Sequence, residues 1–422
     1  MKLKVKSSSI NNTTIKAPSS KSYTHRAIIL ASLTDGKSRI YNPLISEDTS
    51  SSINVCRTLG SKITKKEDYL DIVGNTNIYN TSKTPIDLAN SGTTLRIITS
   101  LAALSSNEVV LTGDDSLKTR PMKPLIDALI PIGVNIESLN NNDKVPIAIK
   151  PGYIGGNTTI KGNISSQFIS SILISSPLSK KGVSLKVIDE FISKPYVDMT
   201  IDLMKKFGVF VEENDFNHFK VKHQKYTPCD YTVEGDFSSA SYLLAAVAIL
   251  GGKVKILNLF KNSKQGDKLI LDILTNMGSK IEINDDNVII ESDGNLKGVD
   301  VDLSNAPDLI ITVAVLGALA SGTTKITGVS HARFKETDRI HVTSNELKKL
   351  KCDVTECNDG MIITGGVNSG SVDSHKDHRI AMAFSLIGLK HDIEINDGEV
   401  FNVSFPNFID VMKEIGVEII LE

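Results

Sequence analysis

The sequence predicts an α/β protein of two domains, each made of three βαβαββ units with buried parallel helices and outer sheets, an inside-out α/β barrel. The main observation is a repeat: a polar cluster, an apolar helix and a glycine-led strand recur six times, at steps of 69, 75, 71, 72 and 69 residues. Spacing this regular indicates one supersecondary unit used six times. The six clusters contain Lys21, Asn90, Ser165, Asp236, Asp308 and Asp377.

The two helices of each unit differ in their sequence pattern. The first is apolar on almost every side, as in residues 240–250, and is therefore predicted to be buried. The second ends before a glycine, which predicts a left-handed C-terminal cap, and a strand, a polar turn and a strand follow. One unit has Leu350-Lys351 where the others have glycine. The predicted cap glycines are Gly60, Gly133, Gly208, Gly278 and Gly416.

Six units divide naturally into two domains of three. Three buried helices on one axis would point their N-termini at one face, and two facing domains would form a cleft lined by six positive helix ends. The sequence therefore predicts a site for anions in an interdomain cleft.

Composition excludes several classes of function. A formal net charge of −2 over 422 residues gives no general attraction to nucleic acid or to a membrane. Residues 1–6 are too polar for a signal peptide, and no apolar run reaches about 18 residues, so a cytoplasmic protein without a membrane partner is expected. The four cysteines are too scattered for a disulfide framework or a zinc site, and no metal is expected.

Arginine is rare and clustered. Only eight of the 47 basic residues are arginines, and six of these lie in the repeated clusters or their extensions. Arginine is a planar, bidentate donor, and its advantage over lysine is greatest in binding carboxylate and phosphate. The clustered arginines therefore predict a doubly anionic small substrate. Arg39 and Arg57 are expected to be surface residues that pair with acids or end a helix.

The clusters of the first half offer cations, hydroxyls and one glycine. Lys21 and Ser22 begin a helix with Arg26 one turn on, but no Walker loop is present, which disfavours a nucleotide kinase. Gly92 would permit close approach of a ligand, or could merely form a tight turn. The other candidates of this half are Arg120, Ser165, Ser166, Gln167, Ser193 and Tyr196.

The second half contributes charged residues of both signs. Residues 331–339 form the densest charged segment, which is either a solvated, salt-bridged helix or a binding segment between a strand and a helix. Asp308 opens a very apolar helix, where its carboxylate could serve only as a cap or, if shielded from water, as a base.

Together these segments resemble the enolpyruvyl transferases, and within them the branch that acts on shikimate 3-phosphate. The resemblance covers the whole chain, and its specificity comes from about ten short motifs in the same order. They are 20–22 with Arg26, 90–93 with Arg96, 120–121, 165–167, 193–196, 235–236, 307–308, 335–339, 377–379 and 404–406.

The resemblance implies domains at 17–233 and at 1–16 with 234–422, an active site in the cleft between them, and no cofactor. It implies transfer of the enolpyruvyl group of phosphoenolpyruvate to the 5-hydroxyl of shikimate 3-phosphate, in a pathway to aromatic amino acids that glyphosate inhibits. Asp308 would accept a proton, and Glu336, with Lys21, would supply one. Shikimate 3-phosphate would contact Lys21, Ser22, Arg26, Ser165, Ser166, Gln167, Ser193, Tyr196, Asp308, His331 and Lys335. Phosphoenolpyruvate would contact Lys21, Gly92, Arg120, Arg339 and Arg379.

Two positions depart from that pattern. His331 replaces an asparagine of some relatives, so pH-dependent binding is a hypothesis here. Val403 replaces a lysine of some relatives, so one contact to phosphoenolpyruvate is expected to be missing or to be supplied by another residue. A monomer is expected.

Two alternatives stay open at this point. One is the sister transferase acting on UDP-N-acetylglucosamine, which usually carries a cysteine in the loop that here spans residues 113–120 without one. The other is a non-catalytic phosphometabolite-binding protein, which would need the arginines but not Asp308 and Glu336 together.

Overall fold

The chain folds into two compact units in a computed structural model that describes residues 1–6, 9–214 and 217–422. The continuous unit is Lys21–Val233, and the split unit is Met1–Ser20 with Glu234–Glu422. The sequence placed the first passage of the chain between the two units at residues 16 and 17. In the structure it lies four residues later, between Ser20 and Lys21. Ser19 and Ser20 belong to the split unit because Ser19 forms a β-bridge with Gly235 and the amide of Ser20 donates to the Glu234 carbonyl at 2.8 Å.

The described residues form 24 β-strands. In chain order they are β1 (Lys2–Lys6), β2 (Thr13–Lys16), β3 (Lys37–Tyr41), β4 (Lys62–Lys65), β5 (Tyr69–Val73), β6 (Ile86–Asp87), β7 (Val109–Thr112), β8 (Asn135–Ser138), β9 (Ile147–Lys150), β10 (Gly156–Lys161), β11 (Val183–Ile188), β12 (Glu212–Asn214), β13 (His218–Val221), β14 (Tyr231–Thr232), β15 (Gly252–Leu257), β16 (Lys280–Ile283), β17 (Asn287–Ser292), β18 (Asp300–Asp302), β19 (Thr323–Thr327), β20 (Asp353–Cys357), β21 (Gly360–Thr364), β22 (Gly370–Asp373), β23 (Ile393–Asn396) and β24 (Glu418–Leu421).

These strands form six four-stranded sheets with one common plan. Each sheet begins with a parallel pair and continues with two antiparallel pairs. The orders are β14-β3-β5-β4, β6-β7-β9-β8 and β10-β11-β13-β12 in the continuous unit, and β2-β15-β17-β16, β18-β19-β21-β20 and β22-β23-β1-β24 in the split unit. The predicted sixfold βαβαββ repeat is confirmed. The N-terminal strands β1 and β2 complete sheets made otherwise of strands from the C-terminal half.

The described residues also form 13 α-helices, two for most repeats. They are α1 (Lys21–Ser32), α2 (Glu47–Thr58), α3 (Gly92–Ala102), α4 (Asp115–Thr119), α5 (Lys123–Leu129), α6 (Ser166–Ser175), α7 (Lys194–Lys206), α8 (Phe237–Leu250), α9 (Ile270–Asn276), α10 (Ile310–Leu319), α11 (Arg339–Lys349), α12 (His378–Ser385) and α13 (Phe408–Glu414).

The first helix of each repeat is buried in the core of its unit. In α8 all residues but the last are buried, and α10 is buried up to Ala318. The corresponding helices α1, α3, α6 and α12 are buried along most of their length, serines and threonines included. When helices lie inside and sheets lie outside, the whole first helix and one apolar face of each sheet must be buried. The predicted layering of buried helices and outer sheets is therefore confirmed.

The second helix of each repeat ends in the predicted left-handed cap. All five predicted cap glycines have φ between 82° and 116°. Two further backbone hydrogen bonds close each cap, as at Gly60, whose amide donates to Arg57 while that of Ser61 donates to Cys56. Lys351 takes the same conformation, with φ of 66° and the same two bonds, although a side chain disfavours it.

Among the described residues, no helix combines the length and the apolar character that crossing a lipid bilayer demands.

Candidate functional site

Side chains at the starts of α1, α3 and α6 meet in the continuous unit. Arg96 donates to the Gln167 amide oxygen, and Gln167 Nε2 donates to Thr93 Oγ1 at 2.9 Å. The Arg96 guanidinium also lies 5.3 Å from the centre of the Phe168 ring. The sequence-predicted residues at these helix starts and their neighbours form the hydroxyl-rich cluster: Lys21, Ser22, Arg26, Gly92, Arg120, Ser165, Ser166, Gln167, Ser193 and Tyr196.

Lys21 begins α1 and pairs with an acid that sequence reasoning missed. Its Nζ lies 2.8 Å from Oδ2 of Asp48, at the start of α2, and His25 Nε2 lies 3.5 Å from Oδ1 of the same carboxylate. Burial alone would raise the pKa of Asp48, but Lys21 and His25 together lower it below its ordinary value. Asp48 is thus an anion within a cluster predicted to be cationic.

Arg26 is buried and binds oxygens of three elements. It donates to Thr200 Oγ1 at 2.7 Å, to the carbonyls of Ser22 and Tyr196 at 2.9 and 3.2 Å, and to Ser170 Oγ at 3.5 Å. Burial lowers the pKa of Arg26 to about 10, which leaves it charged at neutral pH. Arg26 therefore ties α1 to α6 and α7.

Gly92 and Arg120 lie together, as the sequence predicted. A Cβ at Gly92 would lie 2.7 Å from Nη1 of Arg120 and 3.5 Å from Nη1 of Arg96. Arg120 follows the short helix α4 and is oriented by Asn90 Oδ1 at 2.6 Å and Ser116 Oγ at 3.2 Å. The absent side chain at residue 92 thus leaves room beside two guanidinium groups.

The predicted segment 165–167 caps the N-terminus of α6. Ser165 is the N-cap of α6, and its hydroxyl accepts from the Gln167 amide at 3.3 Å, while Ser166 is buried in the first turn. Ser193 is the N-cap of α7 with a left-handed φ of 54°, a strained conformation for a serine. Tyr196 lies in the first turn of α7.

The starts of α10, α11 and α12 meet in the split unit. Arg339, 1% exposed, donates to Asp308 at 2.8 Å, to Glu336 at 2.5 Å and to Asp377 at 2.8 and 3.2 Å. Burial opposes its charge, but the three carboxylates raise the pKa of Arg339 above its usual value. Asp308, Glu336, Arg339, Asp377 and Arg379 are named the carboxylate-rich cluster.

Asp308 lies between two arginines. Its Oδ1 is 2.8 Å from Arg339 Nη1, and its Oδ2 is 3.0 Å from Arg379 Nη2, whose Nη1 donates to the Ser238 hydroxyl. Burial would raise the pKa of Asp308, but Arg379, Lys335 and Arg339 lower it well below its ordinary value. Asp308 lies in the helical turn Pro307–Leu309 that leads into α10, where it is not the N-cap residue, and its carboxylate pairs with the two arginines.

Lys335 and His331 lie beside this cluster. Lys335 Nζ is 3.5 Å from Asp308 Oδ1, and His331 is 3% exposed. Burial, and next the charge of Lys335, lower the pKa of His331 to about 3, so its ring is neutral near pH 7. Titration of His331 in the free protein therefore gives no support to the hypothesis of pH-dependent binding.

Asp267 is a buried acid that the repeats did not reveal. It lies in the helical turn Gly266–Leu269, is 4% exposed, and interacts with the Ser238 hydroxyl and with the charges of Asp236 and Asp308. Burial, and next the charge of Asp308, raise its pKa to about 7. No repeated motif marks this residue, so only the tertiary structure shows it.

The remaining arginines and cysteines have structural roles. Arg333, counted with the clustered arginines, instead pairs with Asp338 and Glu356 at 2.8 and 2.9 Å. Arg39 lies near Asp71, and Arg57 donates to the Ile63 carbonyl, as expected for surface residues. All four cysteines are free thiols. No group of three or more His, Cys, Asp or Glu residues within the described ranges could hold a metal ion.

Comparisons with known proteins agree on one family. The model of that family, described as EPSP synthase (3-phosphoshikimate 1-carboxyvinyltransferase), matches residues 5–412. Similar curated proteins named 3-phosphoshikimate 1-carboxyvinyltransferase come from Methanobrevibacter smithii, at 64% identity, and from Methanothermobacter thermautotrophicus, at 54%, each over 99% of both chains. A solved structure of EPSP synthase from Acinetobacter baumannii superimposes with a TM-score of 0.81 at 26% identity, and covers 100% of both chains.

Proposed function

The chain belongs to the EPSP synthase family, and we propose that its two clusters divide the family's reaction between holding anions and moving protons. The reaction transfers the enolpyruvyl group of phosphoenolpyruvate to the 5-hydroxyl of shikimate 3-phosphate and releases phosphate, a step of the shikimate pathway to chorismate and the aromatic amino acids. Of the alternatives that the sequence left open, a transferase of UDP-N-acetylglucosamine and a non-catalytic binding protein, neither matches this family.

The observation that carries the proposal is the position of Asp308. The attacking hydroxyl must lose a proton, so a base must lie among the cations that hold the anionic partner. Asp308 is a half-buried carboxylate within 3.5 Å of Arg339, Arg379 and Lys335. A base and its surrounding cations are thus both present in the split unit.

The same cations make Asp308 a weak base before substrate binds, because they hold its pKa low. In the proposal, the carboxylate and phosphate of phosphoenolpyruvate bind Arg339 and Arg379 and compete with Asp308 for them. Loss of these partners raises the pKa of Asp308 toward the operating range of a general base. Substrate binding would therefore activate the base.

Glu336 is proposed as the proton donor to the methylene carbon of phosphoenolpyruvate, with Lys21 as a second donor. Glu336 shares Arg339 with Asp308, so the two carboxyl groups accept from the two terminal nitrogens, Nη2 and Nη1, of one guanidinium. Protonation of the carbon and deprotonation of the hydroxyl then proceed in one charged environment without a metal.

The hydroxyl-rich cluster is proposed to bind the substrates. Guanidinium groups and helix N-termini suit phosphate and carboxylate, and hydroxyls at helix starts add neutral donors. The proposed ligands of shikimate 3-phosphate are Lys21, Ser22, Arg26, Ser165, Ser166, Gln167, Ser193, Tyr196, Asp308, His331 and Lys335. Those of phosphoenolpyruvate are Lys21, Gly92, Arg120, Arg339 and Arg379.

Phosphate release measures the proposed reaction. The purified protein receives phosphoenolpyruvate with shikimate 3-phosphate in one reaction and with UDP-N-acetylglucosamine in another. Release only in the first is expected, and release only in the second would contradict the proposal. EDTA is expected to leave the rate unchanged, whereas a large loss that Mg²⁺ or Zn²⁺ restores would contradict the metal-free mechanism.

A monomeric, cytoplasmic enzyme completes the proposal. Light scattering coupled to size-exclusion chromatography measures the mass, for which 45.8 kDa is expected of the single chain. Fractionation of the source cells with a specific antibody is expected to recover the protein with the cytoplasmic fraction, and a membrane-bound pool would contradict it.

A further inference from the structure

The proposed function gives Lys21 three roles, because this residue is assigned to both substrates and to proton transfer. A flexible four-carbon side chain needs a fixed partner to hold its ammonium group in one position. The partner is Asp48, whose Oδ2 lies 2.8 Å from Nζ, with 15% of the lysine and 9% of the aspartate side chain exposed.

Asp48 is itself held rigidly. It is the second residue of α2, two residues after the N-cap Ser46, whose hydroxyl accepts from the Thr49 amide while Thr49 Oγ1 accepts from the Ser46 amide. Thr24 of α1 accepts from the Leu44 amide at 3.1 Å and so fixes the approach to this cap. An acid in the first turn of a helix commonly interacts with the helix dipole alone. Here the carboxylate also faces the lysine.

A buried chain of polar side chains continues from Asp48. His25 is fully buried, with Nε2 3.5 Å from Asp48 Oδ1 and Nδ1 2.8 Å from Ser52 Oγ. Ser52 Oγ lies 2.7 Å from Thr94 Oγ1, which lies 2.6 Å from the hydroxyl of Ser91.

The far end of this chain lies beside the glycine of the second cluster. Ser91 is the N-cap of α3 and directly precedes Gly92. These contacts thus lead from the ammonium of Lys21, through the Asp48–His25 pair and the hydroxyls of α2 and α3, to Ser91 beside the glycine assigned to phosphoenolpyruvate.

We propose that Asp48, supported by His25, is a positioning residue that fixes the Lys21 ammonium relative to the Gly92 segment. The inference rests on the proposed function, because it assigns Asp48 no contact with substrate and makes it act only through Lys21. A purely structural role for the ion pair, which joins α1 and α2, is the alternative. Buried ion pairs are weak evidence for stability, so the two roles must be separated by measurement.

The test is a double-mutant cycle on kcat/KM with Asp48→Asn and Lys21→Gln. Asp48→Asn keeps the shape of the side chain and removes its charge. It is expected to lower kcat/KM for phosphoenolpyruvate about 30-fold, mostly through KM, in the wild-type background. In the Lys21→Gln background the same change is expected to cost less than threefold. Equal losses in both backgrounds would overturn the proposal, because they would show that Asp48 acts independently of Lys21.

A control and a conservative variant guard against misfolding. Asp71→Asn removes a surface acid of the same unit that pairs with Lys37 at 3.0 Å, and it is expected to leave kcat/KM within twofold. If Asp48→Asn does not fold, His25→Gln replaces it and is expected to lower kcat/KM about fivefold in the wild-type background only. Asp48→Glu retains the charge and is expected to recover at least part of the loss, whereas no recovery would contradict positioning by charge.

Wild-type activity in the same assay distinguishes a failure of this inference from a failure of the proposed function on which it rests. If the wild type releases no phosphate from the two substrates, the proposed function has failed. If the wild type is active and Asp48→Asn matches it in kcat and KM, the positioning role has failed and the proposed function stands.

Discussion

The two units share one architecture but differ in how they balance the charge at their helix starts. In the split unit each buried arginine of the carboxylate-rich cluster contacts at least one carboxylate, and Arg339 contacts three. In the continuous unit, Arg26, Arg96 and Arg120 bind hydroxyl, amide and carbonyl oxygens.

This difference follows from what each arrangement can do. Hydroxyl and carbonyl oxygens leave the charge of a guanidinium uncompensated, as at Arg26, and helix N-termini add to the attraction for an anion. A guanidinium bound to carboxylates is already neutralised, and a substrate must displace them. In the proposed function, the same βαβαββ repeat therefore supplies hydroxyl and guanidinium ligands for the substrates in one unit, and the base Asp308 together with further cations in the other.

The largest expected effect tests the proton-transfer side. Asp308→Asn removes the proposed base and keeps the shape of the side chain, so turnover should fall on the order of a hundredfold or more. Steady-state phosphate release measures it, with Asp300→Asn, an exposed acid on β18, as the matched control. Unchanged turnover would remove Asp308 from the mechanism.

The next effect tests the anion side. Glyphosate is expected to compete with phosphoenolpyruvate, and Gly92→Ala should weaken its inhibition about tenfold, because the new methyl would lie 2.7 Å from Arg120 Nη1. Inhibition constants for the two forms measure it. Ser116→Ala, which removes one partner of Arg120 without adding a methyl, serves as the control. Equal inhibition of wild type and Gly92→Ala would refute the placement of this pocket.

The third prediction concerns the split unit alone, where the buried acid Asp267 should make stability depend on pH. Because the folded protein raises the pKa of Asp267 from 3.8 to about 7, this group favours folding less and less as pH rises between about 4 and 7. Asp267→Asn removes this titration, so its stability relative to wild type should increase by about 1.4 kcal/mol per pH unit from pH 5 to pH 6.

Thermal melting of both forms across this pH range measures the difference. A constant difference between them from pH 4 to pH 8 would show that Asp267 titrates at its ordinary value.

The smallest effect concerns the one repeat that lacks a cap glycine. Lys351 has φ of 66°, so Lys351→Gly should stabilise the protein by about 1 kcal/mol. Lys348→Gly, three residues earlier on the exposed face of α11, should destabilise it by about the same amount. Denaturant unfolding compares the two variants, and the same sign for both would contradict the cap.

The sequence predicted the repeated features well. Six polar clusters, buried first helices and the five cap glycines each depend on local pattern, and the structure has all of them. Asp308 was singled out because it opens a repeated cluster, whereas Arg339 was singled out by the charged segment 331–339 and by the family resemblance.

The partners of those residues could not be predicted in the same way. Asp48 opens the second helix of its repeat, and Asp267 lies in a turn, so neither occupies a repeated cluster. Their importance comes from three-dimensional neighbours, Lys21 for the first and Asp308 for the second. Arg333 is the opposite case. The sequence counted it with the clustered arginines because it lies inside a charged segment, but it pairs with acids away from Asp308.

The division of labour between the units is tested most directly by the equilibrium binding of shikimate 3-phosphate, measured by calorimetry on two variants. Lys21→Gln, in the hydroxyl-rich cluster, is predicted to weaken binding about tenfold to a hundredfold, the usual range for a lost hydrogen bond to a charged group. Asp308→Asn, in the carboxylate-rich cluster, is predicted to change it less than threefold. The reverse order, with the larger loss at Asp308, would contradict a continuous unit that holds the anion and a split unit that moves the proton.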